Sequence, residues 1–117
     1  MDAHECLSEL KQLAQRAEDL LECGNRRDPH SVEQAKADYR ALKERLASRV
    51  RDFQRERRGS GPEWWASTFE SGLRKAHIAM RSPTNVSPGN AGWQSSVLDL
   101  GHELRYYADR LEEGLQT

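Results

Sequence analysis

The chain has 117 residues, of which 36% are hydrophobic and 32% charged, and its formal net charge is −1. This length fits one domain, and the near balance of charge excludes the acidic or basic composition of a disordered tail. Leucine and alanine far outnumber valine and isoleucine, which favours helices over sheets. The composition therefore predicts a single all-α domain over residues 1–117.

The N-terminal residues, the apolar runs and the two cysteines bear on where the protein is located. The first residues, MDAHECLSEL, have neither the basic start nor the apolar run of a secretory signal. No stretch approaches the ~20 apolar residues of a membrane span. Cys6 and Cys23 fall in one predicted helix, about 25 Å apart at ~1.5 Å per residue, which is too far for a disulfide. We therefore expect a cytoplasmic protein with two free thiols and no membrane contact.

The first helix is predicted over about residues 2–22, with Gly24 as its stop signal. Apolar residues recur at intervals of three and four, which lines one face of this helix: Ala3, Leu7, Leu10, Ala14, Ala17 and Leu21, widened by Leu13 and Leu20. The segment up to residue 24 carries six acidic and two basic residues. The first helix should therefore present an acidic surface.

The second helix is predicted over residues 31–58 and ends at Gly59. In the stretch SVEQ, Ser31 and Gln34 have the spacing of a capping box, which places the helix start at the serine. Apolar residues keep the helical spacing throughout: Val32, Ala35, Tyr39, Leu42, Leu46, Val50 and Phe53. This helix is longer than usual, and dimerisation through it would fit the pattern.

The third and fourth helices are predicted over residues 62–81 and 93–114. Pro62 suits the first position of a helix, because its missing N–H would have no partner there. The intervening segment 82–92 is uncharged and exceeds the usual ~2–8 residues of a bundle connection. It is expected to pack either on the bundle end or on a partner. Four amphipathic helices predict an antiparallel four-helix bundle, and a three-helix core with an irregular third element is the main alternative.

Two adjacent tryptophans follow the Gly/Pro break. Because successive helical residues point about 100° apart, Trp64 and Trp65 cannot share a face. Trp65 lies with Ala66 and Phe69 and is predicted to be core. Trp64 falls on a mostly polar stripe with Ile78, the only isoleucine of the chain. Trp64 is either a partner anchor, as aromatics are at interface hot spots, or a lid on the bundle end.

A second stripe lies on the fourth helix, where Leu98, His102 and Tyr106 recur at four-residue spacing away from the core positions. On adjacent helices this stripe could merge with that of Trp64 and Ile78 into one apolar patch. We therefore expect a small non-enzymatic module that binds and sequesters another protein as a regulator or antagonist. A homodimer would bury the same residues.

The second half of the second helix is rich in arginine. Residues 31–58 hold nine bases and five acids, and arginine forks bind phosphates well. The alternative function is therefore nucleic-acid binding through Arg51, Arg55, Arg57 and Arg58. Pairing of these bases with acids of their own helix and of the acidic first helix explains them without nucleic acid, and it is the interpretation we favour.

No motif indicates chemistry. The four histidines and two cysteines lack the spacing of zinc ligands or of a carboxylate-bridged metal bundle. Neither a glycine-rich phosphate loop nor a Ser/His/Asp order is present. We expect no catalytic residues, no metal and no cofactor.

Overall fold

A computed structural model describes residues 2–26, 28–61, 63–80 and 91–117. Within these ranges the chain forms four helices and no strand. The helices are α1 (Ala3–Asn25), α2 (Pro29–Glu56), α3 (Trp64–Ala79) and α4 (Ala91–Gln116). The prediction of an all-α four-helix bundle is confirmed.

The helices run up and down around one core. Helix α4 packs most extensively against α1 and α3, whereas α2 contacts α1 and α3. Among the described residues α2 and α4 make no contact, so they lie diagonally opposite. Two ion pairs show how α1 and α4 run relative to each other. Arg105 pairs with Glu18, whereas Glu112, which comes later in α4, pairs with Lys11, which comes earlier in α1. Helices α1 and α4 are therefore antiparallel.

The predicted apolar stripes meet in the core. Most of their members are buried, among them Leu10, Tyr39, Phe69, Trp93 and Leu104. The prediction that Trp65 is core is confirmed, since its side chain is buried against the ring of Phe53. Leu7, Leu21 and Tyr107 are partly buried at the edges of the stripes.

The predicted start of α2 is wrong. The helix begins at Pro29, and Asp28 is its N-cap: the Ser31 N–H donates to the Asp28 carboxylate over 2.9 Å. This hydrogen bond lowers the pKa of Asp28 below its usual value. Ser31 itself is buried and does not cap the helix with Gln34. The helix therefore starts with an acidic cap followed by proline, and this cap lies three residues before the predicted cap at Ser31.

The other helix ends differ from prediction by one to three residues. Helix α1 continues through Gly24, which is buried inside the helix. Helix α2 ends at Glu56, and Gly59 has a positive φ of 83° in the turn that follows. Helix α4 includes Ala91 and Gly92, which were assigned to the uncharged loop. The rest of that loop, 82–90, and Pro62 lie outside the described residues.

Within the described ranges, no helix combines the length and the apolar character needed to cross a membrane.

Candidate protein-binding surface

The exposed large apolar side chains of the described residues lie on only two helices. They are Trp64, Ile78, Leu98 and Tyr106, with 50%, 44%, 45% and 52% of their surface accessible. Two belong to α3 and two to α4, and His102 of α4 is exposed beside them. The outer faces of α1 and α2, over their described residues, carry no such side chain. The four apolar positions selected from the sequence are therefore all exposed.

Trp64 is half-exposed because its ring leans on the end of α4. A Cβ atom added to Gly114 would lie 2.4 Å from the ring atom Cη2 of Trp64, so the indole occupies the space that a side chain would take there. Trp65 instead turns inward, and its Nε1 donates to Glu63 over 2.8 Å. Trp64 thus covers part of the bundle while leaving half of its surface to solvent.

Tyr106 is held on the outer face of α4 by its neighbours. Its ring meets Tyr107 edge-on, with ring centroids 5.0 Å apart. The guanidinium carbon of Arg110 lies 5.8 Å from the centre of the Tyr106 ring, within cation–π range. These contacts orient the phenol ring without burying it.

Leu98 and His102 line a narrow groove between α4 and α1. Leu21 and Val97 complete its apolar lining. At the floor of this groove α4 approaches α1 closely, because Gly101 has no side chain. A Cβ atom added to Gly101 would lie 3.7 Å from the Cβ of Ala17. Along one edge Arg105 forks onto the Glu18 carboxylate with two hydrogen bonds of 3.0 and 3.1 Å. The hydrogen bond to Glu18 raises the pKa of Arg105, so this edge stays charged.

Ile78 lies apart from this group. It lines a groove between α3 and α2 together with Ala47, Val50 and Arg51. Helix α3 contacts both α2 and α4, so this groove and the α1–α4 groove of Leu98 open on different sides of the bundle. The sequence placed Trp64 and Ile78 on one stripe of α3, but the structure puts Ile78 against a different neighbouring helix.

The four arginines proposed for nucleic acid are not equivalent. Arg57 donates to the carbonyl oxygen of Gly61 over 2.8 Å and lies 5.0 Å from the Trp65 ring centre. Arg55 pairs with Asp52 at 3.7 Å. Arg51 and Arg58 are exposed. Pairing with acidic residues of the same protein, which we favoured from the sequence, therefore explains part of this basic run.

Arg49 is the charged residue whose burial the sequence reading missed. Its side chain is 7% exposed and its Nε donates to Glu9 of α1 over 2.8 Å. Its guanidinium also faces the rings of Phe53 and Phe69 at 5.7 and 5.6 Å. Burial is the largest single influence and opposes the charged form, but the hydrogen bond to Glu9 and the negative charges of Glu9 and Glu56 together outweigh it, so the pKa of Arg49 is raised. Its spacing of three from Leu46 and four from Phe53, both core residues, was the available signal.

The described residues contain no cluster of three or more histidine, cysteine, aspartate or glutamate side chains that could hold a metal ion. Both cysteines are free. Burial, with a smaller contribution from Glu9, raises the pKa of the Cys6 thiol to about 12, so this thiol is protonated and a poor nucleophile.

Comparisons of the chain with protein-family models, curated proteins and solved structures found no match. The arguments for function therefore come from the exposed surface itself.

Proposed function

We propose that the protein is a small non-enzymatic interaction module that binds and sequesters another protein, acting as a regulator or antagonist. The contact is made by Trp64, Leu98, His102 and Tyr106, which we call the α4 surface. The observation that carries this proposal is that three of the four exposed large apolar side chains of the described residues, Trp64, Leu98 and Tyr106, lie on α4 or against its end. Clustered apolar exposure is typical of interaction sites, whereas scattered single residues are not.

The restricted conformations of the two aromatic side chains, Trp64 and Tyr106, support the proposal. Aromatic residues dominate interface hot spots, and a side chain that is already oriented loses less entropy on binding. Trp64 is seated on Gly114, and Tyr106 lies between Tyr107 and Arg110. Both rings are thus partly immobilised before any partner arrives. Leu98 extends the apolar area toward α1.

Nucleic-acid binding through Arg51, Arg55, Arg57 and Arg58 has less support. Two of these four side chains already interact within the chain. A homodimer remains the other alternative, because a second copy would cover the same side chains. We place the interaction in the cytoplasm, a location supported by two free cysteines.

A pull-down with nuclease treatment tests the proposal. The bait carries Tyr106→Ser or Leu98→Ser, and Ala41→Ser is the matched control, an exposed position on α2, the helix diagonally opposite α4. We expect a stoichiometric protein that survives nuclease, persists with Ala41→Ser and is lost with the other two. Recovery of nucleic acid alone, or equal recovery by all three baits, would contradict the proposal.

A further inference from the structure

A second surface carries a more specific inference. The α2–α3 groove has an aliphatic floor, formed by Ala47, Val50 and Ile78, and a basic rim, formed by Arg51 and Arg74, and Gln54 and His77 complete its lining. Ile78 is 44% exposed on this floor. We propose that this groove binds an acidic amphipathic helix of a partner protein, with apolar side chains on the floor and carboxylates on the rim.

The basic residues of α2 are sorted between its two flanks. One stripe at intervals of three and four consists of Lys36, Arg40, Lys43, Ala47, Arg51, Gln54 and Arg58. Five of these seven residues are basic and none is acidic. This stripe borders α3, because Ala47, Arg51 and Gln54 line the groove.

The opposite flank of α2 is electrically mixed. There Arg49 pairs with Glu9 of α1 and with Glu56, and Asp52 pairs with Arg55. On the groove side, Arg51 makes no side-chain ion pair with any residue that the structure describes, and Arg74 pairs only loosely with Glu70 at 3.5 Å. The flank along the groove therefore has an excess of positive charge that an acidic partner would balance.

The floor favours a peptide over nucleic acid. Proteins that hold single strands combine basic grooves with aromatic side chains on which bases stack. The described lining of this groove holds no tryptophan, tyrosine or phenylalanine, and its one ring is the half-buried imidazole of His77. An amphipathic helix, in contrast, places apolar side chains on one face and charges on its flanks, which matches both parts of the groove.

This inference goes beyond the proposed function. Ile78 and Arg51 lie between α2 and α3, away from Tyr106 and Leu98 on α4. Loss of binding at one surface leaves the other intact, so each proposal can fail alone.

Fluorescence anisotropy with labelled synthetic peptides tests the groove. The probe is a helical peptide with leucine along one face and glutamate along its flanks. A second peptide has serine in place of leucine, and a single-stranded oligonucleotide is the third probe. The protein variants are Arg51→Glu and Ile78→Ser. Arg55→Glu is the matched control, because Arg55 lies on the same helix but outside the groove.

We expect the leucine–glutamate peptide to bind and the serine peptide to bind at least ~10-fold more weakly. Arg51→Glu and Ile78→Ser should each weaken binding about 10-fold, whereas Arg55→Glu should change it less than about 3-fold. All variants should keep the helical circular dichroism of the parent. The proposal is overturned if the leucine–glutamate peptide does not bind or binds no better than the serine peptide. It is also overturned if Arg55→Glu is as damaging as Arg51→Glu, or if the oligonucleotide binds independently of Ile78.

Discussion

The ring of Trp64, at the start of α3, occupies the side-chain space of Gly114, near the end of α4. The neighbouring Trp65 is buried against Phe53. Adjacent tryptophans therefore serve different ends: one joins the core, and the other lies along the bundle surface with half of its area exposed. The position of Trp64 depends on a residue fifty positions away that has no side chain.

Gly114→Ala should displace Trp64 without unfolding the protein. The ring is exposed and can swing away, and alanine gains up to ~1 kcal/mol of helix propensity over glycine. We expect little net change in the free energy of unfolding, a red shift in tryptophan emission and weaker partner binding. The same substitution in a Trp64→Phe background is the control and should give no shift. Unchanged emission in the Trp64 protein would contradict the contact.

Gly24→Ala should be clearly destabilising, unlike Gly101→Ala. A Cβ at Gly24 would lie 2.0 Å from Cη2 of Trp93, whose side chain is fully buried and has no room to move. We expect Gly24→Ala to lower the free energy of unfolding by about 1–3 kcal/mol. At Gly101 the nearest atom is 3.7 Å away, so alanine should raise stability by about 0.5–1 kcal/mol. Urea unfolding of both variants measures the difference, and equal effects would be inconsistent with this packing.

Removing the Glu9 carboxylate alone should lower the free energy of unfolding more than removing both charges of its ion pair with Arg49. Glu9→Gln removes the carboxylate charge that faces the buried guanidinium of Arg49 at 2.8 Å, while the more exposed Glu56 remains at 3.5 Å. We expect the free energy of unfolding of this variant to fall by about 3 kcal/mol. The double variant Glu9→Leu with Arg49→Met should recover most of it, because no buried charge remains. Thermal and urea unfolding provide the comparison, and a double variant less stable than Glu9→Gln would disprove this account.

Stability should fall in alkaline solution through Cys6. The pKa of this thiol is about 12 in the folded protein, against an ordinary value of 9.0. Since the unfolded chain loses the proton first, stability is full below about pH 9 and declines as the pH rises toward 12. At about pH 10 the loss from this thiol is on the order of 1 kcal/mol. Urea unfolding at about pH 8 and 10 measures it, and Cys6→Ala should show a smaller decline. An equal decline in Cys6→Ala would exclude the thiol as its source.

The sequence was sufficient where the structure follows local periodicity. Most residues of the predicted stripes of α1 and α2 are buried in the core, and the separation of Trp64 from Trp65 followed from helical geometry alone. The start of α2 was also encoded locally, since Asp28 and Pro29 form a cap and a first helical residue. The capping-box spacing of Ser31 and Gln34 was the weaker of two competing signals.

Other features depend on residues distant in the chain. Glycine is a common stop signal, yet α1 continues through Gly24, and the ring of Trp93 in α4 fills the space that a side chain there would take. A helical wheel gives the direction of Ile78 on α3 but not which helix lies beside it, so the α2–α3 groove was not foreseen. Arg49 was counted with the exposed basic run because its partner Glu9 is forty residues earlier.

Site-specific photocrosslinking tests the α4 surface most directly. A photoreactive amino acid replaces Tyr106 in one variant and the exposed Ala41 of α2 in the other. In intact source cells, the Tyr106 position should give one dominant crosslink to a different protein, and the Ala41 position should not. Equal crosslinking from both positions, or a Tyr106 product with the mass of two copies of this chain, would contradict the proposal that α4 binds a foreign protein.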